Sequence, residues 1–306
     1  MIAPASNALI IGCGFLGRVL ATKLLQRGVC VYGTTRSPQH AEQLANIGIR
    51  ALLVEVTQPI TMAALRPALE CDELDVFYLV PPGRPGNDPS PKEIVIDGAA
   101  NTLAQLRNAN VRRAVLTSST AVYGQTDGVR VDADTDPQPS DARGQLLLQG
   151  EQVWLDNEQP THVVRLAGLY GPGRVIGLSA VREGAPIVGD PNVLLNLIHV
   201  DDAAELLIKV ATSADANTIE LGCDGTPTTR ADFYAHLAQT LNLMPPKVLD
   251  NAQAAAQLGV SIERLNRTRC RACDNTVTCK RTGWTPIFKD FREGLRSAMA
   301  DLKSEA

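Results

Sequence analysis

Three glycines near the start of the chain have the spacing of a phosphate-binding turn. They are Gly12, Gly14 and Gly17, in the run Gly-Cys-Gly-Phe-Leu-Gly that lies between an apolar strand pattern and a helix pattern. In that context Gly12 permits a tight turn, Gly14 lets an anion approach the backbone, and Gly17 allows close helix–strand packing. Free N–H groups at the helix N-terminus favour a pyrophosphate there. We therefore predict a dinucleotide site, which also includes Phe15 and Leu16.

The end of the second predicted strand indicates which dinucleotide binds. It carries Thr34, Thr35, Arg36 and Ser37, and no carboxylate occurs before Glu42. An acidic residue near this point would bind the ribose 2′-OH of NAD, whereas guanidinium and hydroxyl groups donate well to phosphate oxygens. We predict that Thr34 and Arg36 contact the cofactor and that NADP is preferred to NAD. An exposed loop arginine is the alternative interpretation of Arg36.

The elements that must position these residues alternate between strands and helices. Strand patterns lie near 49–54, 74–80 and 112–118, and helix patterns lie near 15–27, 39–47 and 92–109. This rhythm predicts an α/β fold built on a Rossmann-type, doubly wound parallel sheet. Ligands of such sheets bind outside the carboxyl ends of the strands. Val80, Pro81 and Ser118 lie at such ends, so we assign them to the cofactor site as well.

The second half of the chain contains shorter elements. A polar stretch over 122–140 predicts a loop, a helix pattern covers 142–157, and a strand pattern covers 161–166. The segment 250–301 is predicted to be mainly helical. We expect an NAD(P)-binding domain over 1–166 and a smaller substrate lobe over 167–306 that is interleaved with the last elements of the sheet.

Composition indicates an ordinary globular protein. The 306 residues are 44% hydrophobic and 20% charged, with a formal net charge of −4. An acidic balance gives no reason to expect a nucleic-acid or membrane partner. No secretory signal pattern and no apolar run of membrane-spanning length occurs, so we expect a cytoplasmic protein.

Seven cysteines are scattered along the chain, which does not indicate a disulfide framework. Cys270, Cys273 and Cys279 have spacings that a zinc site can use, but no fourth cysteine or histidine follows at the usual distance. We predict no metal and keep zinc as a minor alternative.

Four motifs occur in order along the chain. They are the glycine run at 12–17, Thr-Ser-Ser-Thr-Ala-Val-Tyr-Gly at 117–124, Arg-Leu-Ala-Gly-Leu-Tyr-Gly-Pro-Gly at 165–173, and Ile-His-Val-Asp-Asp at 198–202. Together they resemble the extended short-chain dehydrogenase/reductase superfamily, in its NAD-dependent epimerase/dehydratase group. The resemblance covers nearly the whole chain. It implies a nicotinamide cofactor, a substrate lobe at the C-terminus, and a homodimer formed through the helices at 92–109 and 142–157.

The catalytic pair of that family is missing. Its members use a serine or threonine together with Tyr-x-x-x-Lys on one helix face, and a glutamate follows the lysine by four residues. When Glu151 is matched to that glutamate, Leu147 stands at the lysine position and Arg143 at the tyrosine position. No tyrosine in the chain has a lysine four residues later. The chain therefore resembles an atypical subgroup that lacks the tyrosine.

Three residues remain as catalytic candidates. Ser119 matches the family's catalytic serine and would orient a carbonyl group, or it caps the end of its strand. Tyr123 is a surrogate acid or a packed tyrosine whose hydroxyl bonds to the backbone. Arg143 offers a fixed cation to a carboxylate, phosphate or carbonyl group, or it points into solvent.

The substrate is expected to be small and polar. Relatives that use nucleotide sugars carry an asparagine and an Arg-Asp pair where this chain has Gly168, Leu195 and Asn196. Loss of these groups removes charge-assisted hydrogen bonds to a diphosphate, which disfavours a nucleotide sugar. We predict an NAD(P)-dependent oxidoreductase or epimerase-like enzyme. The alternative is a non-catalytic NAD(P)-binding regulator or sensor.

Overall fold

The computed structural model describes residues 5–84, 86–258 and 270–300. The strands are β1 (Asn7–Ile11), β2 (Cys30–Thr35), β3 (Arg50–Leu53), β4 (Leu74–Tyr78), β5 (Val111–Ser119), β6 (Val129–Val131), β7 (Thr161–Leu166), β8 (Gly168–Tyr170), β9 (Ile187–Val188), β10 (Leu194–Leu195), β11 (Leu197–His199), β12 (Ile219–Gly222), β13 (Thr228–Thr229), β14 (Val248–Leu249) and β15 (Arg271–Cys273). The helices are α1 (Phe15–Leu25), α2 (Pro38–Ala45), α3 (Arg66–Leu69), α4 (Gly98–Leu106), α5 (Ala142–Leu155), α6 (Leu178–Arg182), α7 (Val200–Thr212), α8 (Arg230–Thr240), α9 (Asn251–Leu258), α10 (Thr276–Thr282) and α11 (Phe291–Ala298). Two 3₁₀ turns (Pro59–Leu65 and Thr120–Val122) and one π turn (Glu93–Asp97) complete the described elements.

Within the described residues, seven strands form one parallel sheet in the order β12-β7-β5-β4-β1-β2-β3. The chain starts at the centre, runs outward to β3, and then returns past β1 to build the other half. This reversal between β1 and β4 is the topological switch of a Rossmann-type fold, where a crevice opens at the carboxyl ends of the strands. The predicted fold class is confirmed.

Both faces of the sheet are covered, which explains why its strands have nearly continuous apolar runs. On one face Ile10 packs with Leu20 of α1 and Leu207 of α7, and all three are fully buried. On the other face Leu9 packs with Trp154 of α5. Adjacent residues of β1 thus face opposite hydrophobic cores, and the sheet is fixed between two helical layers. Among the described helices, none combines the length and apolar character needed to cross a membrane.

The short strands beyond the central sheet differ from the sequence predictions. The segment 122–140 was expected to be a loop and 250–301 mainly helical, yet β6 and β15 pair in parallel across these two segments. Each strand has only three residues, too few to show an alternating pattern. Their pairing joins the segment after residue 270 to the first half of the chain.

The Ile-His-Val-Asp-Asp motif predicts a structural histidine, His199, and an aspartate N-cap, Asp201 or Asp202, at the start of α7, and the structure differs in one detail. His199 is the N-cap instead, and its Nδ1 accepts a hydrogen bond of 3.2 Å from the backbone N–H of Asp201. Asp202 is buried and accepts hydrogen bonds from the backbone N–H groups of Ile287 and Phe288. The histidine therefore has the structural role that the sequence favoured, and Asp202 holds the C-terminal segment against α7.

Asp224, just beyond β12, carries a buried carboxylate with one unsatisfied oxygen. Its Oδ1 accepts a hydrogen bond from the backbone N–H of Thr226, whereas Oδ2 has no hydrogen-bond partner among the described residues. Burial raises the pKa of this carboxyl to about 7, and the Asp290 and Asp202 carboxylates add to the rise. Because the unfolded chain has the lower pKa, Asp224 reduces stability progressively as the pH rises from about 4 to about 7.

We expect Asp224→Asn to stabilise the protein above pH 7, by up to about 4 kcal/mol, because an amide keeps the bond to Thr226 without a buried charge. Near pH 4 the same variant should match the wild type, since folded Asp224 is then protonated. Urea unfolding at the two pH values measures the difference. A gain that is equal at both values would contradict the assignment.

Candidate functional site

A cavity of about 1070 Å³ opens at the carboxyl ends of β1, β2, β4 and β5. It brings together the predicted cofactor residues Gly12, Gly14, Phe15, Leu16, Gly17, Thr34, Arg36, Val80, Pro81 and Ser118. Two catalytic candidates, Ser119 and Arg143, line the same cavity. Tyr123 does not.

The glycine turn has the geometry that its spacing predicted. Gly12 has φ +89°, and a Cβ there would lie 3.0 Å from the backbone of Leu79 and Val80, so any side chain would be strained and crowded. A Cβ on Gly17 would lie 2.9 Å from the carbonyl oxygen of Gly12, which shows how closely α1 approaches β1. A Cβ on Gly14 would meet nothing within 4 Å. The space over Gly14 is therefore available to a bound group.

The N-terminus of α1 borders this space. Gly14 is the N-cap, no side chain caps the helix, and its first turn contains no acidic residue. The end of the helix dipole and the first N–H groups thus favour an anion. The residues present fit the pyrophosphate of a dinucleotide, because they combine an open approach to the backbone with an uncapped helix end.

Thr34 holds the turn in place. Its Oγ1 accepts a hydrogen bond from the N–H of Gly12 and its carbonyl oxygen accepts one from the N–H of Cys13, each of 2.9 Å. The Cys13 side chain is 1% exposed, and its Sγ lies 3.1 Å from the Cβ position of Gly33. Burial raises the pKa of the Cys13 thiol to about 12. Thr34 thus positions the turn, and Cys13 is an uncharged packing group rather than a nucleophile.

Arg36 lies at the same edge of the cavity, but it is already paired. Its Nη1 donates a hydrogen bond of 3.0 Å to Oε2 of Glu55, which follows β3. Glu55 was not predicted as a site residue, because it is distant in sequence from the end of β2. The pairing of Thr35 with Leu53 brings the two strand ends together. A carboxylate directly after the neighbouring strand was the available signal.

The two serines at the end of β5 present different groups. Ser119 Oγ accepts a hydrogen bond of 3.2 Å from the N–H of Ala121, so its own proton remains available to donate. Ser118 Oγ donates a hydrogen bond of 2.5 Å to Oε1 of Glu151. The hydroxyl proton of Ser119 is therefore available to a group in the cavity, whereas the hydroxyl of Ser118 already donates to the carboxylate of Glu151.

Glu151 belongs to a buried polar network. Both of its oxygens accept hydrogen bonds from Arg165, the shortest being 2.7 Å from Nη2, and their side chains are 2% and 5% exposed. Arg165 Nη1 donates to the hydroxyl of Tyr123, which donates in turn to the carbonyl oxygen of Asp132. Burial alone would lower the pKa of Arg165, but the carboxylate of Glu151 outweighs it and raises that pKa.

This network corrects the assignment of Tyr123 as a catalytic candidate. The side chain is fully buried, its hydroxyl is held by Arg165 and Asp132, and burial raises its pKa. A phenol in that position exchanges no proton with a group in the cavity. Tyr123 is the packed tyrosine of the alternative interpretation.

Helix α5 lines the cavity with residues that differ from the catalytic tyrosine and lysine of the family. Leu147, at the position of the family's lysine, is 8% exposed and lines the wall. Arg143 is exposed, lines the cavity, and makes no hydrogen bond or ion pair with any residue in the described ranges. Arg174 also lines the cavity, with its guanidinium 5.5 Å from the centre of the Phe15 ring. Two arginines thus provide positive charge to a ligand in this cavity.

Two of the cysteines considered for zinc lie on different elements. Cys273 lies on β15 and Cys279 on α10, and burial raises the pKa of Cys273 to about 11, so its thiol stays protonated. Across 5–84, 86–258 and 270–300, no group of three or more His, Cys, Asp or Glu side chains is placed to hold a metal ion.

Comparisons with known proteins agree with the fold. The model of the NAD dependent epimerase/dehydratase family matches residues 8–222. Protein YeeZ of Escherichia coli is 28% identical over 274 residues, which cover 82% of this chain and 93% of YeeZ. A 4-hydroxy-2-methyl-3-oxo-4-farnesyl-3,4-dihydroquinoline-1-oxide ketoreductase of Stigmatella aurantiaca is 24% identical, covering 85% of this chain and 81% of the relative.

Among solved structures, MoeE5 in complex with UDP-glucose and NAD superposes with a TM-score of 0.77 at 23% identity. The match covers 98% of this chain and all of MoeE5, and it supports the fold. The family match covers most of the chain and includes the glycine turn, β5 with its two serines, and α5. The chain belongs to the NAD dependent epimerase/dehydratase family.

Proposed function

We propose that the protein is an NAD(P)-dependent oxidoreductase or epimerase-like enzyme that acts on a small polar substrate and prefers NADP. The observation that supports this most directly is the open space over Gly14 at the uncapped end of α1, in the same cavity as Ser119 and Arg143. A nicotinamide dinucleotide, when bound, supplies a hydride donor or acceptor. The chain's own residues bind and orient the substrate.

Ser119 is the group best placed to orient a carbonyl. The backbone N–H of Ala121 occupies an acceptor position of its hydroxyl, which leaves the proton for a substrate oxygen. Arg143 cannot act as an ordinary proton donor, because a guanidinium stays charged. Arg143 instead binds an anionic group of the substrate or polarises its carbonyl. A water molecule exchanges the proton with the substrate oxygen.

The structure of the substrate side supports a substrate other than a nucleotide sugar. At Gly168 a Cβ would lie 3.0 Å from the carbonyl oxygen of Asn196, so the asparagine of nucleotide-sugar enzymes would be crowded there. The amide of Asn196 donates to the carbonyl oxygen of Arg271 and accepts from the N–H of Cys273, and it is therefore engaged. We propose a small substrate with an anionic group, which Arg143 and Arg174 would attract. We place the substrate lobe in residues 167–306 and expect a homodimer.

A non-catalytic NAD(P)-binding regulator is the second candidate. Leu147 in place of a lysine and the burial of Tyr123 favour it, since both members of the usual acid–base pair are absent from the cavity. The discriminating experiment is oxidation of NADPH and NADH in the presence of a panel of small carbonyl compounds, including α-keto acids. Turnover supports the enzyme. Tight cofactor binding without turnover of any compound supports the regulator.

Once a substrate is found, we expect Ser119→Ala to lower kcat by about 100-fold, because a donor to the reacting oxygen is lost. Cofactor affinity should remain within about twofold of the wild type in titration calorimetry. Ser119→Thr is the matched control, since it keeps a hydroxyl at the same position, and it should retain most of the activity. An active Ser119→Ala variant would remove Ser119 from the mechanism.

A further inference from the structure

Two residues that follow β2 and β3, Arg36 and Glu55, form an ion pair at the rim of the cavity. The two partners differ in exposure, because the Arg36 side chain is 68% exposed and that of Glu55 only 15%. Glu55 Oε1 accepts hydrogen bonds from the N–H and the hydroxyl of Thr57, at 3.3 and 3.2 Å. That leaves Oε2 directed at Arg36. The carboxylate is therefore the fixed member of the pair.

The backbone of Glu55 is held as firmly as its side chain. Its N–H donates to Oγ1 of Thr61 at 3.0 Å, and the Thr61 hydroxyl donates to its carbonyl oxygen at 2.9 Å. The turn after β3 thus holds Glu55 beside the cavity independently of Arg36. A fixed acidic group of this kind is a hydrogen-bond acceptor for a ligand hydroxyl and a source of repulsion for a ligand phosphate.

We propose that Glu55 is a specificity-determining residue for the cofactor and that it supplies, from the end of β3, the carboxylate that the end of β2 lacks. This inference rests on the proposed dinucleotide function. A ribose 2′-OH donates to the carboxylate of Glu55, which supports NAD. A 2′-phosphate instead needs Arg36, for which Glu55 competes, and it lies against a fixed negative charge.

The consequence is a site that accepts both cofactors. Arg36 favours the phosphorylated form, and Glu55 limits that preference by neutralising the guanidinium. Of the arginines that line the cavity, Arg143 and Arg174 lie on α5 and on the turn after β8, whereas Arg36 follows β2. The choice between the cofactors is therefore assigned to one pair of residues.

Titration calorimetry with NADPH and NADH tests the proposal on the full chain. We expect the wild type to bind NADPH no more than about tenfold more tightly than NADH. Glu55→Gln should tighten NADPH by about tenfold and weaken NADH by about threefold. Arg36→Ala should weaken NADPH by at least about tenfold and leave NADH within about twofold. Glu70→Gln, at an exposed pair with Arg66 outside the cavity, is the control and should change neither.

The double variant Arg36→Ala/Glu55→Gln separates competition from misfolding. If Glu55 acts through Arg36, most of the gain in NADPH affinity from Glu55→Gln disappears when Arg36 is absent. An NADPH-to-NADH ratio that stays within twofold of the wild type in Glu55→Gln overturns the proposal. Failure of the wild type to bind either nucleotide would refute the proposed dinucleotide function itself, which is a different result from an unchanged ratio.

Discussion

Gly14→Asp should reduce the affinity for NADPH and NADH by at least about 100-fold, or about 2.7 kcal/mol, without reducing the stability of the fold. A Cβ at this position meets nothing within 4 Å, so the new side chain has room. Aspartate at an N-cap accepts hydrogen bonds from the first turn of a helix and favours the helix. The same carboxylate lies where the pyrophosphate is proposed to bind, and it competes for the same N–H groups.

Calorimetric titration and thermal unfolding of the same preparation measure the two effects. Gly14→Asn is the matched control, because it has the same size and no charge. It should lose less affinity than Gly14→Asp, and the difference isolates the electrostatic part. A Gly14→Asp variant that binds either nucleotide within about threefold of the wild type would show that the anion site is not at α1.

The second large effect is on stability and concerns the buried pair of Arg165 and Glu151. We expect Arg165→Met to lower the free energy of unfolding by about 3–5 kcal/mol, because it leaves a buried carboxylate without its cation. Ser118 would then be the remaining hydrogen-bond partner of Glu151, and the hydroxyl of Tyr123 would lose a donor. Urea unfolding at neutral pH measures the loss.

Two further variants make this result interpretable. Arg165→Met combined with Glu151→Leu removes both charges and should recover much of the lost stability, since apolar residues often replace a buried ion pair well. Arg66→Met breaks an exposed pair with Glu70 and should cause no measurable change. A loss in Arg165→Met as small as that in Arg66→Met would show that the network contributes little.

The central fold was predictable because its signals are local and repeated. Residues 8–11 are apolar in sequence since both faces of β1 are covered, and Gly12 and Gly17 are glycines since a Cβ at either would crowd the backbone. Strand, turn and helix each left a pattern within a window of about ten residues. The alternation of these windows was enough to predict the parallel sheet and its crevice.

The remaining features depend on contacts between distant residues. Glu55 and Arg36 meet only because β2 and β3 pair, and the hydroxyl of the buried Tyr123 is engaged because Arg165, 42 residues later, donates to it. β6 and β15 form across a separation of more than a hundred residues. Nothing in a short window records such contacts. Most residues that line the candidate site were therefore predictable from the sequence, whereas the partners that decide the role of each side chain required the structure.

Because Cys13 is buried in the glycine turn, the reactivity of its thiol reports how often the turn opens. A thiol that is enclosed and protonated reacts with an alkylating reagent only when the turn opens. The labelling rate of Cys13, followed by peptide mass, therefore measures the frequency of that opening. A ligand that bridges the turn and α1 would slow the labelling. Occupancy of the site can thus be screened against a collection of compounds before any substrate is known and without a coupled assay.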